Sequence, residues 1–382
     1  MESIIELKAK MLTLGIAPGT IKNPLPDKYK FETKVVVSDR HFTNKERKIL
    51  PSELILEHNG KATIVKTIFK ETSPLVLHLD GEKVYVDGYE DVKVRLVKRN
   101  PADLTSPPFV GHVGVDKLSV VPFVGCFYWL EGVNCRFCGA SPNPEWKKHE
   151  LSIFTKNLYK VWKERKEEFL EMFEKHVQNF LRYWEGPHLH FMVMGNWVEN
   201  QDAQFEIGLD VLSYFSDIAK KSDSYFIMLP PKSLGLIDKA YETGVKYIQF
   251  NIEVWGEEYF KEAVPGKHKY YSFDFYVKAL KYAVDVFGEG NVRTNFVLGI
   301  QPFSKTKEGM EKLADIGVIP SYTVFHPRPK SAWRDRKPPF WEDVLEFARW
   351  HGDLLRSYGY KPYACPLSSR SSLENEAVRG WV

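Results

Sequence analysis

Residues 124–139 of this chain read VGCFYWLEGVNCRFCG, and they continue directly from the apolar run Leu118–Val124. This stretch places Cys126, Cys135 and Cys138 in the spacing C-x8-C-x2-C. A short apolar run bounded by turn residues is consistent with a buried strand, so the cysteines fall in the loop at its carboxyl end. The strand and its loop are the first of several similar units, and that series determines the predicted fold.

From about residue 115 onward, apolar runs alternate with long amphipathic segments. Six runs are typical of strands: Leu118–Val124, Leu189–Met194, Tyr225–Leu229, Tyr247–Val254, Val292–Gly299 and Tyr322–Phe325. Strands that alternate with helices form a parallel sheet. Six units are fewer than the eight of a closed (β/α)8 barrel. The sequence therefore predicts an α/β fold with a partial (β/α)6 barrel of the TIM type, and a doubly wound open sheet is the alternative.

The first 110 residues follow a different pattern, with one helical stretch and then short β-type runs. Asn59-Gly60 and Asp80-Gly81 suit type I′ hairpin turns, because both central residues of such a turn need positive φ. A proline-rich stretch at 101–108 marks a boundary. Three domains are predicted: a small α+β domain with an antiparallel sheet at 1–110, the barrel at 111–335, and a C-terminal helix and tail covering the barrel at 336–382.

The composition limits the classes of partner. Of 382 residues, 53 are basic and 50 are acidic, and the net charge is +3. This balance disfavours nucleic acid as a partner, and no run of about 18 apolar residues predicts a membrane span. The acidic start is unlike a signal peptide, so a cytoplasmic location is expected. In a reducing cytoplasm, three closely spaced cysteines predict a metal or cluster site before they predict disulfides.

Three thiolates leave more than one chemistry open. They are enough to hold three irons of a [4Fe–4S] cube, whose fourth iron then has no protein ligand. A closed structural zinc site needs four ligands, and His112 and His149 stand at no short, regular spacing from the cysteines. A zinc metalloprotein, structural or hydrolytic, remains the alternative, as do three buried thiols without a metal.

The cysteine motif resembles that of the radical S-adenosylmethionine (SAM) superfamily, in which a three-cysteine loop follows the first strand of a partial (β/α)6 barrel. The usual family spacing is C-x3-C-x2-C, with an aromatic residue before the last cysteine. Here Phe137 takes the aromatic place and the C-x2-C half is intact, whereas the first gap has eight residues. The resemblance covers about residues 115–330, and the runs 251–267 and 291–300 are similar to the biotin-synthase-like branch.

This resemblance implies a specific chemistry. Cys126, Cys135 and Cys138 would hold a [4Fe–4S] cluster, and SAM would bind its open iron. An electron from a ferredoxin- or flavodoxin-like donor would cleave SAM, and the 5′-deoxyadenosyl radical would abstract hydrogen from a small metabolite or cofactor precursor under anaerobic conditions. The alternative within the family is an enzyme that modifies tRNA or protein and uses residues 1–110 for recognition.

The resemblance also implies a SAM site at the strand ends. Its members lie at or just after predicted strands: Gly195, Asn196, Glu199, Asn251, Glu253, Arg293, Asn295 and Gly299. Alternation places Gln249, Asn251 and Glu253 on one polar face. That face suits ribose hydroxyls or a structural polar layer. Arg293 suits the SAM carboxylate or a salt bridge to Glu253.

Two further residues are predicted on the substrate side of the site. His326 ends the sixth predicted strand, where a structural histidine is the alternative. Cys365 is far from the other three cysteines, and one thiol is too few to hold a second cluster. It is interpreted as a hydrogen-atom donor, as a ligand completed by a second protein chain, or as an inert buried thiol.

Overall fold

A computed structural model of the chain describes residues 3–22, 51–98, 100–104, 109–139, 147–186, 188–195, 198–361, 367 and 369–382. The chain divides into two compact units. The first contains residues 1–100, 297–303 and 322–382, and the second contains residues 101–296 and 304–321. None of the described helices has both the length and the apolar character that crossing a membrane requires. The three predicted domains with their boundaries remain a prediction.

The secondary structure is mixed α/β. The strands are β1 (Ala17–Lys22), β2 (Glu53–His58), β3 (Lys61–Lys66), β4 (Val76–Asp80), β5 (Lys83–Val86), β6 (Lys93–Leu96), β7 (Val110–Val113), β8 (Lys117–Val120), β9 (His190–Met194), β10 (Tyr225–Ile227), β11 (Tyr247–Gln249), β12 (Val292–Leu298) and β13 (Val318–Val324). The helices are α1 (Ser3–Leu14), α2 (Phe127–Leu130), α3 (Leu158–Arg182), α4 (Gln201–Tyr214), α5 (Ser216–Lys221), α6 (Gly235–Glu242), α7 (Glu257–Ala263), α8 (Pro265–Tyr270), α9 (Phe273–Phe287), α10 (Phe303–Asp315), α11 (Trp341–Ser357) and α12 (Glu374–Val378).

The first unit contains a six-stranded sheet in the order β1-β4-β5-β6-β2-β3. All neighbouring pairs are antiparallel except β1 and β4, which run parallel. The turn between β2 and β3 is the predicted one, with φ of 47° at Asn59 and 75° at Gly60. The β4–β5 hairpin also forms, but of the second dipeptide only Gly81 has positive φ. The sequence therefore predicted both hairpins.

A buried ion pair joins the two ends of the chain within this unit. Lys8 of α1 and Glu376 of α12 are 0% and 1% exposed, and Lys8 Nζ lies 2.7 Å from Glu376 Oε1. The same ammonium donates to Thr63 Oγ1 of β3 at 3.0 Å and to the Ser369 carbonyl at 2.7 Å. Three partners satisfy the three N–H donors of the lysine, as its burial requires.

The second sheet has the order β13-β12-β11-β10-β9-β8-β7. The strands β8 to β12 are parallel to their neighbours, and β7 adds an antiparallel edge strand to β8. Each of the six strands β8 to β13 overlaps one of the six predicted apolar runs, although β8 and β11 end earlier than predicted and β13 begins earlier, at Val318. This confirms an α/β fold with a parallel sheet. The strand order is linear, with different strands at its two edges, so this sheet is not a closed barrel.

The amphipathic segment between β8 and β9 contains the 25-residue helix α3. Its buried side chains recur every three or four residues, at Phe169, Phe173, Val177 and Phe180, which defines one apolar face. The backbone leaves helical geometry at Arg165, with φ −128° and ψ 23°, so the helix is kinked there. The charged residues between the buried ones form its solvated face.

Candidate functional site

The cysteine loop, residues 126–138, begins just after the segment that continues β8. Gly125 precedes it with φ 96°, a conformation that favours glycine, and a Cβ there would lie 2.6 Å from Ile153 Cγ1. Cys126 is the extended residue that caps the start of α2. Cys138 N–H donates to the Cys135 carbonyl at 3.0 Å. The first gap of eight residues is thus occupied by one helical turn and the segment that returns from it.

The Cys135 thiol interacts electrostatically with those of Cys126 and Cys138. All three cysteines are partly buried and free of disulfides. Burial raises the pKa of the Cys135 thiol well above its usual range, against an opposing effect of Lys267. Cys138, Glu253 and Cys126 raise that pKa further. The loop therefore brings its three thiols into one local environment.

The donor set of this loop can be compared with two kinds of metal site. Among the described residues, no three His, Cys, Asp or Glu side chains are gathered as ligands of a single ion. A zinc ion draws its sulfur ligands to about 2.3 Å from one centre. The cysteines of a [4Fe–4S] cube each bind a different iron. Three thiols on one loop, with Cys135 interacting with both of the others, fit the donor chemistry of the cube, with one thiolate for each of three irons.

The junction of α7 and α8 packs against the cysteine loop. Arg136 N–H donates to the Ala263 carbonyl at 2.9 Å. A Cβ on Gly266 would lie 2.6 Å from both the Val133 carbonyl oxygen and Tyr128 Cγ, so only glycine allows this approach. The residue after Gly266 is Lys267, which is thereby held beside the loop.

Lys267 forms a buried ion pair with Glu253. Its Nζ lies 2.9 Å from Glu253 Oε1, with side chains 5% and 12% exposed. Nζ also donates to the Asn251 carbonyl at 2.5 Å, and Gln249 Nε2 donates to Asn251 Oδ1 at 2.7 Å. The structure thus brings together Gln249, Asn251 and Glu253, which were predicted to share a face. It adds Lys267, which sequence reasoning had not assigned to the site.

The backbone at Glu253 is unusual. Its φ is 71°, in the left-handed region that non-glycine residues rarely adopt. The Glu253 N–H donates to the Asn295 carbonyl of β12 at 2.9 Å. Such strain persists where the surroundings hold it, and it is frequent at ligand sites. Here the β12 hydrogen bond and the Lys267 ion pair fix the carboxylate.

Comparison with known proteins gives one curated relative. No family model matches the chain. Over 132 residues the chain is 30% identical to the bacteriochlorophyllide c C-7(1)-hydroxylase of Chlorobaculum limnaeum, a match that covers 34% of this chain and 33% of that protein. The chain thus matches about a third of the length of this curated relative. Together with the cysteine loop at the end of a parallel strand, the match supports the resemblance found in the sequence.

The chain resembles the radical SAM superfamily, and the match to this relative supports that resemblance. The match to a hydroxylase supports its assignment as an enzyme. Among solved structures, HydG, a maturase of the [FeFe]-hydrogenase, aligns with 67% of this chain and 60% of its own, at 14% identity and a TM-score of 0.39. A sequence identity and a TM-score this low support no conclusion about fold or function. The branch within the superfamily and the interpretation of the C-x8-C-x2-C motif remain predictions.

The resemblance to the radical SAM superfamily predicts that the loop after β9 is part of the SAM site. Gly195 directly follows β9, and a Cβ there would lie 2.9 Å from Met228 Cε. Asn196 falls outside the described residues. Glu199 is exposed and precedes Asn200, whose Oδ1 caps α4 by accepting N–H bonds of 2.9 Å from Asp202 and Ala203. The roles of Gly195, Asn196 and Glu199 stay predictions.

Two predicted residues of β12 are directed to different partners. Arg293 is 2% exposed and its Nη2 donates to Ser321 Oγ at 3.0 Å. Asn295 is partly exposed, and its Nδ2 donates to the Phe296 carbonyl at 3.0 Å. Glu253 pairs with Lys267, so the cation beside this carboxylate comes from α8. The sequence analysis noted the run 251–267 as similar to the biotin-synthase-like branch, but nothing in that run indicated that Lys267 is buried.

The remaining predicted residues belong to the first unit or lie outside the description. Gly299 has φ 98°, and a Cβ there would lie 2.8 Å from Pro339 Cδ. His326 is half-buried, and desolvation, aided by Lys70 and Arg328, lowers its pKa to about 3. Cys365 lies outside the described residues. The roles of these three residues are untested predictions.

Proposed function

We propose that this protein is a radical SAM enzyme that acts on a small metabolite or cofactor precursor. In this proposal Cys126, Cys135 and Cys138 hold a [4Fe–4S] cluster. The observation that carries it is the loop after β8 with its three free, partly buried thiols, since α/β folds place their chemistry at the carboxyl ends of parallel strands. We also propose that β8 to β13 curve as a partial (β/α)6 barrel.

The cofactors supply the difficult chemistry in this proposal. When bound, the cluster and SAM provide a 5′-deoxyadenosyl radical that abstracts hydrogen from substrate, once a ferredoxin- or flavodoxin-like donor delivers an electron. The protein holds the irons through thiolates and keeps water away from the partly buried loop. The buried ion pair of Lys267 and Glu253 would orient the polar groups of bound SAM beside the cysteine loop.

The proposed SAM contacts follow the strand ends. The turn Gly195, Asn196 and Glu199 would accept hydrogen bonds from the amine of SAM. Asn251, Glu253 and Asn295 would meet its ribose, since their amide and carboxylate oxygens accept bonds from hydroxyl groups. Arg293 would meet the carboxylate, because a guanidinium fork matches it. Gly299 would leave room for the adenine.

Two residues, His326 and Cys365, are proposed on the substrate side of the site. His326 would present a neutral imidazole, because its pKa lies far below neutral pH. Cys365 would donate a hydrogen atom or complete a site with a second chain. The relative's named substrate is a bacteriochlorophyllide, which makes a tetrapyrrole one reasonable member of a substrate panel. The proposal is that the substrate is a small molecule, and assays of a panel of candidate small molecules would identify which one.

The test is anaerobic reconstitution of the full chain with iron and sulfide, followed by dithionite and SAM. We expect a brown protein with about four irons and four sulfides per chain, and SAM-dependent release of methionine and 5′-deoxyadenosine. Single Cys→Ala changes at positions 126, 135 and 138 should each abolish the release. Cys365→Ala, the matched control, should keep the cluster and the cleavage of SAM.

Two alternative functions predict different outcomes. A colourless protein with about one zinc per chain and no absorbance near 400 nm would contradict the proposal and favour a zinc metalloprotein. Retention of bulk tRNA by the reconstituted protein in a gel-shift assay would move the substrate from a small molecule to RNA. Neither alternative is favoured by an observation on the described residues.

A further inference from the structure

Lys267 is a cation built into the interior next to the cysteine loop. Its side chain is 5% exposed, and Glu253 Oε1, 2.9 Å away, and the Asn251 carbonyl, 2.5 Å away, accept its hydrogen bonds. Its Nζ also lies 5.5 Å from the centre of the Tyr276 ring. Burial opposes this charge, but Glu253, Tyr276 and Cys135 raise the pKa of Lys267 above its usual range. The ammonium therefore stays charged.

Backbone contacts hold Lys267 beside the loop that carries the thiols. Arg136 N–H donates to the Ala263 carbonyl at 2.9 Å, four residues before Lys267. The tight packing of Gly266 on Val133 and Tyr128 fixes α8 against the loop, so the ammonium cannot withdraw without displacing backbone. A fixed positive charge of this kind stabilises negative charge on nearby groups.

We propose that Lys267 is a positioning residue that raises the reduction potential of the cluster held by the cysteine loop. The inference rests on the proposed function. Reduction adds one electron from the external donor to a group already surrounded by thiolates, and a nearby fixed cation favours the state with the extra negative charge. Charge and hydrogen bonding around the sulfurs are recognised determinants of such potentials. Glu253 partly offsets the cation, so the two residues should have opposite effects.

The experiment is a redox titration of the reconstituted full-length protein, followed by electron paramagnetic resonance of the reduced cluster. Lys267→Met should shift the one-electron equilibrium about tenfold toward the oxidised form, which is about 59 mV more negative. Lys267→Arg should restore a potential close to that of the unaltered protein. Glu253→Gln should shift the potential in the positive direction.

Lys269→Met is the matched control. Lys269 lies on the same short helix but is 51% exposed. Its partner Glu131 belongs to the cysteine loop, but solvent screens the charge of Lys269, so its removal should leave the potential nearly unchanged. Iron and sulfide content is measured in each variant. If Lys267→Met does not accumulate as a folded protein, Lys267→Arg and Glu253→Gln decide the question.

The outcomes separate this inference from the proposed function. An unaltered protein that takes up no cluster would overturn both. A complete cluster whose potential is the same in Lys267→Met, or a potential that falls in Glu253→Gln, would overturn the role of Lys267 and leave the proposed function standing. Opposite shifts in these two variants, with no shift in Lys269→Met, would support it.

Discussion

Replacing Lys8 by Met should destabilise the first unit far more than any surface change on the same helix. Lys8 is fully buried and donates to Glu376, Thr63 and the Ser369 carbonyl. Its removal leaves the buried Glu376 carboxylate without its cation. Breaking a buried pair in this way typically lowers the free energy of unfolding by about 3–5 kcal/mol. That loss lowers Tm by roughly 2–4 °C per kcal/mol in a domain of 150–250 residues.

Lys10→Met is the matched control. Lys10 lies on the same helix and pairs with Glu6 at 2.6 Å, but the two side chains are 23% and 33% exposed. An ion pair four residues apart on a helix contributes only about 0.3–0.5 kcal/mol. The Lys10 ammonium also lies 4.7 Å from the centre of the Trp341 ring, a contact worth about 0.5–1 kcal/mol, so the expected loss stays well below that for Lys8→Met. Urea-induced unfolding, followed by circular dichroism, measures the free energy of unfolding of both variants under the same conditions.

A double variant tests the physical reason. Replacing both Lys8 and Glu376 by apolar residues of similar size removes the uncompensated charge, and such replacements are often neutral or stabilising. We therefore expect Lys8→Met/Glu376→Leu to recover a substantial part of the loss seen in Lys8→Met. The reasoning is refuted if Lys8→Met costs no more than Lys10→Met, or if the double variant is less stable than Lys8→Met.

Two further predictions concern packing and pH. Gly266→Ala should push the cysteine loop away from α8, because its Cβ would meet the Val133 carbonyl at 2.6 Å. Overpacking of this kind costs about 1–3 kcal/mol, and the iron content after desalting should fall. Gly235→Ala is the control, since no atom lies closer than 4.0 Å to its Cβ, and it should retain the iron. His326 has a folded pKa of about 3 and an unfolded one near 6.5, so the unfolded state binds more protons between those values and stability falls as pH falls. At pH 5 the loss of unfolding free energy is at most about 2 kcal/mol. In His326→Gln the unfolding free energy should vary less between pH 7 and pH 4. An unchanged pH dependence would contradict this assignment of the His326 pKa.

Much of the second sheet was predictable because its strands are buried on both faces. Runs such as Leu189–Met194 and Val292–Gly299 are almost continuously apolar, and a parallel sheet covered by helices demands that pattern. The edge strand β7 was missed, because Val110–Val113 contains Gly111 and His112 and shows no clear periodicity. Edge strands satisfy fewer packing demands and so carry weaker patterns.

The candidate site was predictable only where its residues lie close together in sequence. Cys126, Cys135 and Cys138 share one loop, so their spacing carried the prediction. Lys267 follows them by more than a hundred positions, and its partner Glu253 is reached only because the α7–α8 junction packs on the loop. From sequence alone, a lysine is expected at the surface, and only the packing shows that Lys267 is buried. Charge pairing across elements depends on tertiary structure, which local patterns do not encode.

The pairing of Lys8 with Glu376 also bears on how the protein is made. Ribosomes release Lys8 first, and its carboxylate partner follows 368 positions later. Until then the nascent first sheet would have to enclose a bare ammonium, which is unfavourable. The second unit has no such delay, since all of it lies between residues 101 and 321. Its folding can precede closure of the first unit, which requires α12.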